Sequence, residues 1–174
     1  ALEMHPGSQA WDQLQAASEA LLVWNQQINL VSRKDTADFW LHHALHSLTI
    51  GRFVWFVPGT RVIDVGSGGG LPGLMLAIAF PDTEFTLLDS TAKKLKVVTD
   101  VAQQLGLPNV TTVWSRVEQH KQSYDFVTGR AVTALPDFVK LTRKLVHPRH
   151  RNKLPNGILY LKGGTPEALE TELA

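Results

Sequence analysis

The chain of 174 residues has no cysteine, and no run of apolar residues approaches the ~18 that would suggest a transmembrane helix. Without cysteine there is neither a disulfide framework nor a set of thiolate metal ligands. The first residues also show no basic region followed by an apolar one, the pattern of a secretory signal peptide. We therefore expect a cytoplasmic protein that forms one compact unit, since this length is typical of a single domain.

Acidic residues are missing from the long segment between Asp137 and Glu167. Basic residues occur throughout that segment: Lys140, Arg143, Lys144, Arg149, Arg151, Lys153 and Lys162. The net charge of the whole chain is only +1, so this basic excess is local. A local excess of this kind suits a polyanion such as nucleic acid, although a solvated helix face and loop would look the same.

Hydrophobic periodicity changes character near residue 58. Before it, apolar residues at helical spacing predict a helix over 9–24 and a second helix capped by Asp35 or Thr36. The second helix would bury the stripe Ala37, Trp40, Leu41, Ala44, Leu45 and Leu48 and place His42, His43 and His46 on the opposite face. We expect residues 1–57 to form an N-terminal helical extension that packs on a domain of residues 58–174.

After residue 58, short apolar runs alternate with helical patterns. The predicted strands are 62–65, 85–88, 110–114, 126–128 and 158–161, and the predicted helices are 72–80, 91–105 and 136–146. Strand–helix alternation predicts an α/β fold with a doubly wound, Rossmann-like parallel sheet. Residues 147–156 are predicted to form a mobile basic loop.

Glycines cluster directly after the first predicted strand, within residues 61–73. A strand, a glycine-rich turn and a helix together predict a ligand lying against the backbone at a helix N-terminus. A P-loop needs Gly-Lys-Ser/Thr, and no lysine follows these glycines. A dinucleotide site is formally matched by Gly-x-Gly-x-x-Gly at 68–73 with Asp89 about 20 residues on. That match is imperfect, because Gly66 already ends the strand.

S-adenosylmethionine fits the same turn through the pattern Asp-x-Gly-x-Gly-x-Gly at residues 64–70. Asp64 could orient the ammonium group of the cofactor, directly or through water, and Asp89 could accept both ribose hydroxyls. Each acid also has a structural interpretation, since Asp64 could cap the turn and Asp89 could cap the helix from Thr91. Together the two acids favour a methyltransferase over a dehydrogenase.

Several further pieces of sequence occur in order along most of the chain. They are Trp24-Asn-x-x-Ile-Asn-Leu30, His43-x-x-x-Ser47-Leu48, Ile63-Asp-Val-Gly-Ser-Gly-Gly-Gly-Leu-Pro-Gly73, Leu87-Leu-Asp-Ser90, Ser115-Arg-Val-Glu118, Arg130-Ala131 and Leu161-Lys-Gly163. In these pieces the chain resembles the bacterial 16S rRNA guanine-N7 methyltransferases, the glucose-inhibited division protein B family. The resemblance implies a class I S-adenosylmethionine-dependent methyltransferase fold and methyl transfer to N7 of one guanine in small-subunit (16S) ribosomal RNA. Free rRNA or the small ribosomal subunit would be the partner, with no membrane and no metal.

The residues and the resemblance together give a set of candidate site residues. The cofactor-binding candidates are Asp64, Gly66, Gly68, Leu71, Asp89, Val117, Glu118 and Arg130; the resemblance alone supplies Leu71, Val117, Glu118 and Arg130. The candidates for holding the guanine and its phosphates are Asn29, His43, Arg130 and Lys162. Residues 140–153 and the lysines Lys93, Lys94 and Lys96 could contact the RNA backbone, although the lysines could equally form a solvated helix face. No catalytic acid or base is assigned, because guanine N7 has a lone pair and no proton to lose.

The chain departs from the usual family sequence at several positions. His42 stands where an arginine is common, His46 where an aspartate is common, and Gly129 where a serine is common. The family also usually continues beyond 161–164 through two more strands, so we expect a sheet truncated before them, with an exposed edge.

Other functions stay open at this point. A non-catalytic RNA-binding or ribosome-assembly module with a retained nucleotide pocket is the main alternative, and an NAD-dependent oxidoreductase is the weaker one. His42 and His46 at i and i+4 could also share a metal ion. No acidic or cysteine ligand is obviously paired with them, so a surface histidine face is expected instead.

Overall fold

The computed structural model describes residues 4–174 and contains one parallel sheet. Its strands are β1 (Arg61–Val65), β2 (Glu84–Asp89), β3 (Val110–Trp114), β4 (Phe126–Arg130) and β5 (Gly157–Leu161). They lie in the order β3-β2-β1-β4-β5, and every neighbouring pair is parallel. The chain winds outward from β1 in both directions, which confirms the doubly wound sheet and each predicted strand. In such sheets ligands bind beyond the carboxyl ends of the strands where the order reverses, here next to β1 and β4.

Helices cover both faces of the sheet. They are α1 (Gln9–Asn25), α2 (His46–Leu48), α3 (Gly73–Ala79), α4 (Ala92–Gln104), α5 (Leu135–Thr142) and α6 (Pro166–Leu173). A π-helix at Trp40–Leu45 leads into α2, and 3-10 turns lie at Arg33–Asp35, Thr49–Arg52, Val117–Gln119 and Arg143–Leu145. The predicted helices at 9–24, 72–80, 91–105 and 136–146 are confirmed, the last one ending in a 3-10 turn. Within residues 4–174, no helix has both the length and the apolar character needed to cross a membrane.

The helix α3 lies at the centre of the molecule, and every one of its residues is buried. A helix that is apolar all round needs apolar partners on more than one side. It packs against β2 and against α1 and α2. The N-terminal helices therefore share one hydrophobic core with the sheet. The division into 1–57 and 58–174 stays a prediction, and residues 1–3 lie outside the described residues.

The predicted second helix is wrong in its cap and partly wrong in its buried face, since Ala44 and Leu48 are buried as predicted but Leu41 and Leu45 are exposed. Asp35 belongs to a 3-10 turn, and the π-helix begins after Phe39 without a side-chain cap. Leu41 is 59% exposed, whereas His43 is only 8% exposed. A π-helix closes its hydrogen bonds over five residues rather than four, so a stripe drawn at α-helical spacing no longer follows one face. This geometry turns His43 toward the sheet.

Residues 147–156 form the predicted irregular connection between α5 and β5. Asn152 Oδ1 accepts a hydrogen bond from the Val57 N–H at 2.8 Å. Arg151 donates to the Gly59 carbonyl at 2.8 Å and lies 3.3 Å from Asp125. These partners precede β1 and β4, so the loop lies at the amino ends of the strands, away from the glycine-rich turn. The predicted mobility of the loop stays a prediction.

Candidate active site

Two aspartates hold the glycine-rich turn between β1 and α3. Asp64 Oδ2 accepts a hydrogen bond from the Gly73 N–H at 2.8 Å. Asp89 Oδ2 accepts one from the Gly68 N–H at 2.8 Å, and its Oδ1 accepts one from the Thr91 N–H at 2.8 Å. Because β1 and β2 are parallel neighbours, their carboxyl ends bring both acids to the same turn. The turn-capping role expected for Asp64 is therefore present, whereas the helix-capping role expected for Asp89 is wrong: Thr91 is the N-cap of α4, and Asp89 accepts the N–H of Thr91 itself.

The turn passes very close to the segment that follows β4. Gly66 has φ of 69°, and a Cβ added there would lie 2.9 Å from Cγ2 of Val132. Both the left-handed backbone and the close approach favour glycine at this position. Ala131 also has a left-handed φ of 52°, which is uncommon for a residue with a Cβ. The chain turns at Ala131, and Val132 then lies against the turn.

A cleft of about 200 Å³ opens at the carboxyl ends of β1, β2 and β3. It is lined by Val65, Gly66, Leu88, Asp89, Ser90, Ser115, Arg116, Val117, Glu118 and Val132. The cleft brings together the predicted cofactor residues Gly66, Asp89, Val117 and Glu118, and Gly68 is bonded to Asp89. Sequence reasoning missed Val132 as a wall of this cleft, because no spacing rule relates it to Gly66.

Asp64 and Leu71 do not line the cleft. Asp64 is fully buried, and its Oδ1 accepts a hydrogen bond from the Thr128 hydroxyl at 3.1 Å. Burial raises the pKa of Asp64 to about 7, against the lowering effects of the Gly73 and Thr128 hydrogen bonds and the Arg130 charge. Leu71 is 6% exposed and belongs to the core. The contact of either residue with a cofactor stays a prediction.

A second cavity, of about 500 Å³, adjoins the cleft at Val132. It is lined by His43, His46, Arg130, Ala131, Val132, Thr133, Tyr160, Leu161, Lys162 and Gly163. The cavity thus brings together three of the predicted substrate residues, His43, Arg130 and Lys162. Asn29 does not line it, but is exposed next to Leu30, which packs on Gly69 of the turn.

Arg130 and His43 form a hydrogen-bonded pair in the wall of this second cavity. Arg130 Nη2 donates to His43 Nδ1 at 2.9 Å, and Nη1 donates to the His42 carbonyl at 3.4 Å. Because a guanidinium only donates, the proton of the neutral His43 ring lies on Nε2. Burial, with a smaller effect of the Arg130 charge, lowers the pKa of His43 to about 4. The ring is therefore neutral near pH 7, and its buried Nε2 has no hydrogen-bond partner among residues 4–174.

The two cations of the cavity differ in their partners. Lys162 forms an ion pair with Glu172 of α6, and Glu172 Oε1 also accepts a hydrogen bond from the Leu135 N–H at 2.6 Å. Arg130 has no carboxylate within ion-pair distance in the described part of the chain. Arg130 is therefore the cation of this cavity whose charge is not neutralised by a direct contact.

The exposed histidines have one acidic neighbour. His42 Nδ1 lies 3.7 Å from Asp35 Oδ1. Across residues 4–174, no three histidine or acidic side chains come together as a set that could hold a metal ion. The geometry thus gives the pair His42 and His46 no complete ligand set within those residues.

The strand order, the glycine-rich turn with its acids, and the cleft beside it define a class I S-adenosylmethionine-dependent methyltransferase. Solved structures of that class share the fold. A methyltransferase from Geobacter sulfurreducens in complex with S-adenosyl-L-homocysteine is 18% identical, covers 92% of this chain and 56% of its own, and has a TM-score of 0.55. Precorrin-6y C5,15-methyltransferase from Geobacter metallireducens is 13% identical, covers 84% of this chain and 71% of its own, and has a TM-score of 0.56.

The chain belongs to the GidB family, rRNA small subunit methyltransferase G, whose family model matches residues 10–171. The ribosomal RNA small subunit methyltransferase G of Bacteroides fragilis is 50% identical over 155 residues, 89% of this chain and 75% of the relative. That of Flavobacterium johnsoniae is 51% identical over 141 residues, 81% of this chain and 68% of the relative. The predicted family, enzyme class and cofactor are confirmed, as is methylation of small-subunit rRNA as the function of the family.

Proposed function

We propose that this chain transfers the methyl group of S-adenosylmethionine to N7 of one guanine in small-subunit (16S) rRNA, free or within the small ribosomal subunit in the cytoplasm. One observation carries the proposal. The cleft containing Asp89 meets the second cavity, which contains Arg130 and Lys162 and which we call the basic cavity, at Val132. A nucleoside cofactor held in the first is then adjacent to a nucleotide held in the second.

The cleft fits the nucleoside part of S-adenosylmethionine. Asp89 is 8% exposed at the cleft, and each of its oxygens accepts one N–H and keeps capacity for a ribose hydroxyl. Leu88, Val117 and Val132 provide apolar surface for the adenine ring. A Cβ at Gly68 would meet nothing within 4 Å, so the turn is open where the rest of the cofactor would lie. When bound, the cofactor supplies an activated methyl group on a sulfonium centre.

The basic cavity fits a guanine nucleotide. Arg130 offers a planar set of donors that match a phosphate or the O6 of guanine, and N7 must stay free of a donor because its lone pair attacks the methyl group. His43 holds Arg130 from one side as a neutral acceptor, so the positive charge stays on the guanidinium. We assign Arg130 to the RNA, and His43 to positioning Arg130. Lys162 would add a second cation once an anion competes with Glu172 for it.

The reaction at N7 requires no proton transfer from the base, and the described site is arranged accordingly. Asp64, the buried carboxylate under the turn, already accepts hydrogen bonds from Gly73 and Thr128. The Nδ1 of His43 is occupied by Arg130. Neither group is placed to act as a base, so the rate would depend on alignment of N7 with the methyl group.

The test is methylation of purified small subunits and of free 16S rRNA from a strain without this modification. The full chain is incubated with labelled S-adenosylmethionine, and the modified nucleotide is mapped. We expect one labelled N7-methylguanine. Tight cofactor binding and RNA binding without label transfer would instead support the non-catalytic assembly module. Stabilisation by NAD, together with no label transfer, would support the oxidoreductase.

A further inference from the structure

The face at the amino ends of the strands exposes large aromatic side chains. Phe53 is 83% exposed, Trp55 is 55% exposed and Leu154 is 39% exposed. They surround a groove of about 510 Å³ lined by Gly51, Arg52, Phe53, Val54, Trp55, Lys153 and Leu154, which we call the aromatic–basic groove. Exposed apolar groups clustered in this way mark an interaction surface rather than ordinary solvent-facing residues.

The groove is positively charged. Arg52 and Lys153 are both exposed, and neither forms an ion pair within residues 4–174. No acidic residue lines the groove in the described part of the chain. Lys153 also lies in the long segment without acidic residues. The partner with complementary charge is an anion.

The backbone beneath these side chains is anchored. Val54, between the two exposed aromatic residues, is 2% exposed and belongs to the core. The Trp55 ring meets the Phe80 ring edge-on, with 5.8 Å between centroids. On the other side of the groove, Asn152 is bonded to the Val57 N–H. The chain therefore presents both aromatic residues from an anchored backbone, with the Trp55 ring also packed, which lowers the entropy cost of stacking a partner there.

We propose that the aromatic–basic groove binds an unpaired stretch of the substrate rRNA at a distance from the target guanine. Bases would stack on Phe53 and Trp55, and phosphates would contact Arg52 and Lys153, as single-stranded nucleic acids do on aromatic and basic surfaces. The inference rests on the proposed function, which supplies RNA as the partner. The five residues of β1 separate the groove from the glycine-rich turn, roughly 17 Å at a strand rise of about 3.3 Å. This straight line runs through the core, so RNA in contact with both sites would follow the longer path over the protein surface.

The experiment compares the double variants Phe53→Ala/Trp55→Ala and Arg52→Glu/Lys153→Glu with the full wild-type chain. The matched control is Val23→Ala/Lys121→Glu, which changes an exposed apolar residue and an exposed lysine elsewhere. Steady-state methylation is measured on small subunits and on a short RNA that carries only the target guanine region. Cofactor affinity and the thermal unfolding midpoint verify that each variant is folded.

We expect both groove variants to raise KM for the small subunit by about tenfold with unchanged kcat, unchanged cofactor affinity and unchanged KM for the short RNA. The single variant Trp55→Phe should keep most of the affinity for the small subunit, since a planar ring remains at that position. Equal KM for wild type and groove variants on the small subunit would overturn the proposal. So would a groove that proves to hold a second copy of the chain, seen as a dimer that the aromatic variant dissociates.

Photo-crosslinking separates this inference from the proposed function. Wild-type protein is crosslinked to thiouridine-substituted 16S rRNA, and the attached peptides are mapped. A crosslink to the segment 52–55 supports the groove even if wild type transfers no methyl group. Methyl transfer without any crosslink in that segment or around Lys153 counts against the groove and leaves the proposed function standing.

Discussion

The cofactor side and the nucleotide side of the site differ in how far the protein pairs its own charged groups. On the cofactor side, Asp89 at the cleft and Asp64 beneath the turn each accept two hydrogen bonds from the chain, while the buried Ser67 hydroxyl of the turn has no partner among residues 4–174. At the basic cavity, Arg130 has no carboxylate partner and His43 Nε2 has no partner at all among residues 4–174. A buried polar group without a partner is costly. The two carboxylates of the cofactor side are thus held in place by the chain itself, whereas Arg130 on the nucleotide side keeps its charge available for RNA.

The largest effect should come from Arg130→Ala. Loss of this cation should lower kcat/KM for small-subunit RNA by about 100- to 1000-fold, as for other charged contacts whose removal leaves the partner's charge unpaired. Cofactor affinity, measured by calorimetry, should change by less than about threefold, because Arg130 lines the other cavity. Arg130→Lys should recover little, because lysine has no planar set of donors. A large loss of cofactor affinity in Arg130→Ala would contradict the assignment of Arg130 to the RNA rather than to the cofactor.

Asp89→Ala should weaken cofactor binding and leave RNA binding unchanged, which is the reverse of the pattern expected for Arg130→Ala. The variant removes the acceptor for Gly68 and Thr91 and the predicted acceptor for the ribose. Hydrogen bonds to a charged group contribute about 1.5–3 kcal/mol, so cofactor Kd should rise by about 10- to 100-fold. Binding of RNA to the cofactor-free protein should be unchanged. Asp82→Ala, which removes an exposed acid away from the cleft, is the control.

Acidification should change the contributions of Asp64 and His43 to stability in opposite directions. The folded pKa of Asp64, about 7, lies above its ordinary value of 3.8, so its contribution to stability is greatest at low pH and decreases as pH rises from about 4 to 7. The folded pKa of His43, about 4, lies below 6.5, so its contribution is present near neutral pH and is lost as pH falls from about 6.5 to 4.

Urea unfolding of Asp64→Asn and His43→Gln between pH 4 and 7 tests this opposition. Relative to wild type, Asp64→Asn should gain stability as pH rises, because the variant has no carboxyl group to ionise. His43→Gln should gain stability relative to wild type as pH falls. Parallel pH profiles for the two variants would contradict the assignment.

The smallest effect should come from Glu172→Gln. This change frees Lys162 of its partner at the edge of the basic cavity. RNA affinity should improve by no more than a few-fold, since exposed ion pairs are weak and screened by salt. Fluorescence anisotropy at low and high salt measures the change, and Glu170→Gln on the same helix is the control. Weaker RNA binding would show instead that Glu172 supports the basic cavity by holding α6 against it.

Much of the cofactor side was predictable because its determinants are local in sequence. Strand periodicity fixes where β1 and β2 end, and the acids and glycines at those ends define the cleft. Which way Asp64 faces was not predictable, because both possible roles suit a residue at the end of a strand. The nucleotide side depends on long-range contacts: Arg130 meets a histidine that helical periodicity had placed on the outer face. The π-helix that turns His43 inward has no signature in a 3.6-residue pattern.

Val132 is a wall of both cavities, and it is also the side chain that leaves no room for a Cβ at Gly66. One aliphatic residue is thus the partition between two compartments with different chemistry. An inhibitor could join a nucleoside to a second purine through a short linker that passes over Val132. The nucleoside would occupy the cleft, and the second purine would contact Arg130 in the basic cavity. The selectivity of the inhibitor would depend on the size of the side chain at position 132, because a bulkier residue would narrow the passage for the linker.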